Sequence, residues 1–171
     1  MKFKDIKKLP FSSYRVDVSW KYLPEHIERY REYYKLNLDP DFQRGYVWTL
    51  DQKIAFLQWG FIGGKSGMEL YFNHPNWMDN SEDGEMLLID GKQRLTTVLD
   101  FLNNKIPIFD GNYYNDFEDK MHTMDPGFSV HVYKMKTRKQ ILEWYLMMNS
   151  GGSIHTPDEI DKVKKLLEKE I

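Results

Sequence analysis

The sequence predicts an α+β fold, several helices around a small mixed sheet, forming one domain over residues 1–171. Three observations predict it. Short β-prone or continuous apolar segments occur at residues 14–20, 69–73, 86–90 and 129–135. Between them run stretches with apolar residues three and four positions apart, the spacing of a half-buried helix. Helix-start signals precede three stretches: Thr49 with Gln52, Thr137 with Gln140, and Thr156 with Pro157 and Glu159.

Taken in order, residues 14–20 alternate enough for a short strand. Pro24 opens a helix to residue 35 that places Ile27, Tyr30 and Tyr34 on one face. Residues 37–48 make a loop rich in Asp, Pro, Gly and aromatics. Thr49 caps the next helix, which turns Ile54, Leu57 and Phe61 inward and stops at Gly63 and Gly64. Two strands follow, at 69–73 and 86–90, joined by a solvated acidic loop holding Asp79, Glu82, Asp83 and Glu85. The apolar run from Met86 to Ile89 marks the second as an inner strand. A helix then runs from Gly91 to about residue 104, with Leu95, Val98, Leu99 and Leu102 in helical register. Residues 105–127 hold only short apolar pieces. A strand at 129–135 and helices from Thr137 and Thr156 complete the chain.

Composition narrows the chemistry. The 24 basic and 26 acidic residues give a net charge of −2, which argues against a protein that coats nucleic acid, since phosphate affinity needs surplus positive charge. The absence of cysteine excludes disulfides, a thiolate nucleophile and thiolate zinc sites. No apolar run approaches the roughly 20 residues of a membrane span, and MKFKDIKKLPF lacks a secretory core, so a cytoplasmic location is expected. Lysine supplies most positive charge. The arginines are only Arg15, Arg29, Arg31, Arg44, Arg94 and Arg138, and one in a tight Gly- or aromatic-rich setting draws attention, because only the guanidinium fork clamps an anion bidentately.

Residues 86–102, MLLIDGKQRLTTVLDFL, are the most informative. A strand ends at Asp90 and a helix begins at once, so unpaired N–H groups and the positive helix end form a natural anion site. Gly91 lets a phosphate approach the backbone, Arg94 reaches back to it, and Asp90 can hold a divalent metal or orient water. The simpler alternative makes Asp90 a helix cap and Arg94 the partner of an exposed acid. In residues 40–48, Gln43 and Arg44 stand beside Gly45, Tyr46 and Trp48, hydrogen-bonding groups next to flat rings, as a nucleobase requires; a structural loop with Arg44 stacked on Trp48 is the alternative. Asn149, Gly151 and Gly152 form either an anion nest or a helix end with a linker. His26, His74, His122, His131 and His155 show no metal-binding spacing. The basic run Lys134, Lys136, Arg138 and Lys139 reads as a solvated strand end before a nucleic-acid contact.

Together DFQRGYVW, LLIDGKQRLTTV and LMMNSGGSIHTPDEI, spread over residues 36–167, resemble the N-terminal domain of GmrSD-type modification-dependent restriction systems. The family's Asp-Gly-Gln-Gln-Arg core reads here Asp90, Gly91, Lys92, Gln93, Arg94, with lysine for the first glutamine. The resemblance implies a ParB/sulfiredoxin-like fold with a nucleotide pocket at this turn, and nucleotide hydrolysis coupled to DNA cleavage by an HNH nuclease domain. It implies that Asp90, Gly91, Gln93 and Arg94 are the phosphate and catalytic residues and that Gln43 and Arg44 are their pocket partners. Lys92 adds a phosphate contact or disturbs a hydrogen bond.

The expectation is therefore a nucleotide-binding domain, hydrolysing a nucleoside triphosphate with a divalent metal such as Mg2+. Asp90 and Arg94 would be catalytic, with Asp90 also the metal ligand; Gln43, Arg44, Gly91, Lys92 and Gln93 would bind nucleotide. The 171 residues leave no room for an HNH nuclease, so a free-standing relative, with a nuclease partner or weak DNA contact, is expected. A non-catalytic ParB-like DNA-binding module or a protein-interaction domain is the alternative. As a surface arginine, Arg94 is expected to leave the melting temperature nearly unchanged when truncated.

Overall fold

A computed structural model describes residues 14–79, 83–121, 126–149 and 157–170. Among them the elements are β1 (Tyr14–Ser19), α1 (Leu23–Tyr34), α2 (Leu50–Phe61), β2 (Glu69–Asn73), β3 (Leu87–Asp90), α3 (Lys92–Leu102), β4 (Gly127–Tyr133), α4 (Arg138–Asn149) and α5 (Pro157–Glu168). The expected α+β class is found: five α-helices with a four-stranded mixed sheet. No described helix is long and apolar enough to cross a membrane.

Local signals set most boundaries. Thr49 and Gln52 form the complete reciprocal capping box at the start of α2. Thr137 and Gln140 make the same pair of bonds before α4. At Trp20 the strand gives way to a short 3-10 turn, because the Ser19 hydroxyl accepts from Lys21 N–H and Trp20 is driven wholly into the core. β4 begins and ends two residues earlier than its sequence suggests. Met135 leaves the ladder because its N–H donates to the Asn73 side chain, 2.7 Å away. The signals of Thr156, Gly151 and Gly152 lie outside the described residues.

The sheet order is β1-β4-β2-β3, with β4 and β2 parallel and the other pairs antiparallel. This corrects the expectation for residues 86–90, because β3 is an edge strand. Its apolar run is nonetheless buried, with Leu88 and Ile89 fully covered. The loop after α1 lies along the edge: Asn37 N–H donates to Met86 O at 2.8 Å, and Leu88 N–H donates to Asn37 O at 3.0 Å. Covering an edge in this way satisfies its unpaired backbone groups and blocks further strand addition.

Alternation along the strands builds two layers. On one face Val18, Leu70, Phe72, Leu88, Val130 and Val132 pack against Leu23, Ile27, Leu57, Leu95 and Val98 of α1, α2 and α3. On the other, Ile89 and Phe42 meet Leu142, Trp144 and Tyr145 of α4 and Val163 of α5. Each such side chain contributes about 1.5–3 kcal/mol on leaving water, so the sheet is held between two helical layers. The β3–α3 junction emerges where the layers meet.

Candidate functional site

The site grows from the end of β3. A register shift puts both Ile89 and Asp90 across from Tyr71, a bulge at the strand end; such bulges re-aim side chains beside functional sites. Gly91 follows with φ +108, a conformation that suits glycine. A Cβ here would stand 2.5 Å from the Leu70 side chain, so the position is closed to any other residue without a shift. Gly91 is the N-cap of α3, and no side chain caps the helix. Asp90 therefore does not serve as the cap. Its Oδ2 instead accepts from Arg94 Nη2 at 2.7 Å.

Arg94 is more deeply placed than a surface arginine. The same Nη2 donates to the Glu69 carbonyl at 3.0 Å, and the Nε–H is buried without an acceptor. A buried guanidinium donor left unmatched by protein is uncommon and calls for a partner.

Residues 40–48 form the second wall, held by side chains from the motif itself. Gln43 donates to the carbonyls of Leu88 and Ile89, both at 2.8 Å. Gln93, only 7% exposed, accepts from the N–H groups of Val47 and Trp48 and donates to Gly45 O. Lys92 donates to Arg44 O at 3.3 Å and forms an ion pair with Asp39. These three side chains thus clamp the loop against β3 and α3.

The third wall is α4. Tyr145, Met148 and Asn149, at i, i+3 and i+4, share one helix face and line the cavity with Gln43, Arg44, Trp48 and residues 90–94. Its volume is about 190 Å3. Burial pushes the Tyr145 phenol up to about 12, with the Arg44 guanidinium acting in the opposite sense. The cavity is lined by all seven residues named from the sequence as catalytic or nucleotide-binding, by Trp48 and Asn149, which the sequence offered as a stacking ring and part of an anion nest, and by Tyr145 and Met148, which it did not. Helical spacing was the signal for the last two, but the same spacing also describes an ordinary core face.

Other candidates lie elsewhere. Lys134 and Lys136 pair with Asp79, and Arg138 pairs with Asp41 and Glu170, so three of the four basic-run residues are already neutralised. Among the described residues no group of three His, Asp or Glu side chains gathers to hold a metal. His74 is fully buried with neither ring nitrogen bonded, while His122 and His155 fall outside the described residues.

An α+β domain whose strand–helix turn, clamped loop and helix α4 enclose one polar cavity is the class of protein that this geometry defines. The profile of the GmrSD restriction endonuclease N-terminal domain matches residues 25–166, and the chain belongs to that family. No curated protein and no solved structure matches it.

Proposed function

We propose that the cavity receives the phosphates of a nucleoside triphosphate and that the chain hydrolyses it, serving restriction of foreign DNA together with a nuclease partner. A ParB/sulfiredoxin-like character of the fold is part of this reading and rests on the sequence resemblance. One observation carries the proposal. The uncapped start of α3 and the side chain of Arg94 line the same cavity. Helix N-terminal amides and arginine are the two protein groups best suited to phosphate.

The volume of about 190 Å3 is below the roughly 300–1,000 Å3 of pockets that enclose a whole small ligand. It suits the phosphate end, with the base at the rim against Trp48. Gly91 admits the phosphates, Arg94 neutralises charge, and Asp90 orients water or metal, a division that suits phosphoryl transfer. Asp90 supplies one carboxylate to the cavity. Mg2+ commonly takes one or two carboxylates plus substrate phosphates, so this donor set fits Mg2+ arriving with the nucleotide. Bound there, Mg2+ would supply charge neutralisation. Because Gln43 donates to β3 carbonyls while Lys92 and Gln93 hold residues of the loop, their contribution to binding is to hold its wall. Calorimetric titration with each ribonucleoside triphosphate and Mg2+, followed by phosphate-release assays, tests the proposal. Binding and turnover of at least one are expected, and no heat with any of them refutes it.

A further inference from the structure

We infer that Arg138 is a positioning residue of the cavity: it fixes the 40–48 wall against α4, the helix of the third wall, and Glu170 orients its guanidinium for that task. This role rests on the nucleotide reading above and adds what sets the spacing of two walls of that site.

The loop needs a directional tie. Its buried residue, Phe42, packs with Ile89, Leu142 and Tyr145 in the core between the sheet and α4. Apolar contact of this kind is non-directional, so it draws the loop inward without setting its angle. Yet Gln43, the next residue, meets two successive carbonyls of β3, both at 2.8 Å, and Gln43, Arg44 and Trp48 all line the cavity. Two acids just before this stretch supply direction. Asp39 pairs with Lys92 of α3. Asp41 pairs with Arg138, the first residue of α4, whose Nη2 donates to both carboxylate oxygens, at 2.9 and 2.7 Å. The wall is thus tied by charge to both helices that border the cavity.

The guanidinium is itself held by a second acid. Its Nε lies 3.1 Å from Glu170 Oε1. Glu170 is placed in turn by its N–H, which donates to Leu167 O at 3.1 Å, and Leu166 and Leu167 pack against the same apolar cluster as Phe42. Two nitrogens of one planar group therefore serve two carboxylates, which fixes its orientation as an ammonium cannot. Ion pairs this exposed contribute little to stability. Their effect is geometric: a wall already in place spares the ligand the cost of ordering it, so affinity depends on the tie more than folding does.

The test is calorimetry with inorganic triphosphate and with GTP, ATP, CTP and UTP plus Mg2+, joined to amide exchange at Gln43, whose N–H donates to Pro40 O at 2.9 Å. Arg138→Met and Asp41→Asn should each weaken binding roughly three- to tenfold and speed exchange at Gln43. The double variant should bind no more weakly than Arg138→Met alone, since the two side chains act as one unit. Arg138→Lys should recover part of the loss, and Glu170→Gln should show a smaller loss. Lys164, in an exposed pair with Asp161 on α5, supplies the control, and Lys164→Gln should change nothing. Wild-type affinity in Arg138→Met overturns the inference even if the melting temperature falls, because a merely structural role would lower stability alone. Losses that add in the double variant overturn it too, and an unaltered Glu170→Gln removes the part given to Glu170. Wild type that binds no probe refutes the nucleotide reading, and exchange at Gln43 then decides the tie by itself, unchanged exchange in Arg138→Met overturning it. If Arg138→Met fails to fold, Asp41→Asn, at an exposed position, makes the same comparison.

Discussion

Truncating Arg94 to alanine should destabilise the protein by an amount that a surface arginine could not. The sequence alone suggests a side chain whose loss leaves the melting temperature nearly unchanged, but the structure places it otherwise. Its Nη2 holds the Glu69 carbonyl at 3.0 Å and Asp90 Oδ2 at 2.7 Å, and the side chain is only 21% exposed. The bond from a charged donor to the Glu69 carbonyl contributes about 1.5–3 kcal/mol. The ion pair adds less, about 0–1 kcal/mol, because Asp90 is 36% exposed and regains water once alone. The sum is about 1.5–4 kcal/mol. For a domain of this size 1 kcal/mol moves the midpoint by roughly 2–4 °C, so a fall of about 3–16 °C is expected by calorimetry. Arg94→Lys should recover part of it, since one ammonium cannot reproduce the planar fork. Both variants should also lose triphosphate affinity, the alanine completely. A midpoint within about 2 °C of wild type for Arg94→Ala would refute the packing argument, and full retention of binding would refute the role in the site.

Four further outcomes follow from the same geometry. Gly91→Ala forces a Cβ into the left-handed region and onto the Leu70 side chain; urea unfolding should show a loss of about 2–4 kcal/mol with an unchanged denaturant slope. Gln93→Leu removes the clamp on residues 45–48. Water can replace part of it, so the cost is about 1–2 kcal/mol, while amide exchange at Val47 and Trp48 should accelerate. Burial first, and Lys136 second, lower the pKa of His74 below 6.5. The unfolded state then binds the proton before the native one does, so stability should fall as pH drops below about 6.5; His74→Phe should flatten that slope, leaving the part due to His26 and His131, which are shifted the same way. Duplex DNA should bind only weakly and lose that binding with salt, because Lys134, Lys136 and Arg138 are occupied by acids; tight binding that persists at high salt, read by fluorescence anisotropy, would reopen the DNA-binding alternative.

What the sequence determined by itself was whatever a few neighbouring residues can decide. The capping boxes at Thr49 and Thr137, the strand Glu69–Asn73 and the helix behind Gly91 all appear where local hydrogen bonds and apolar spacing put them. The β3–α3 turn was legible too, because a strand end, a glycine and an arginine one turn onward lie within five residues. Tertiary structure decided the rest. Strand order depends on the parallel pairing of β2 with β4, about 60 residues apart, so nothing in residues 86–90 could reveal that they form an edge, or that a loop from Asn37 onward covers it. Polar side chains were assigned to a ligand because their types suit one. Yet Gln43, Lys92 and Gln93 are committed to backbone carbonyls, amides and Asp39, partners that only folding brings near. Tyr145 was invisible as a site residue for the same reason. On a helix its spacing reads as core, and only the packing of α4 against β3 and the loop brings it to a cavity whose other walls lie more than 50 positions away in the chain.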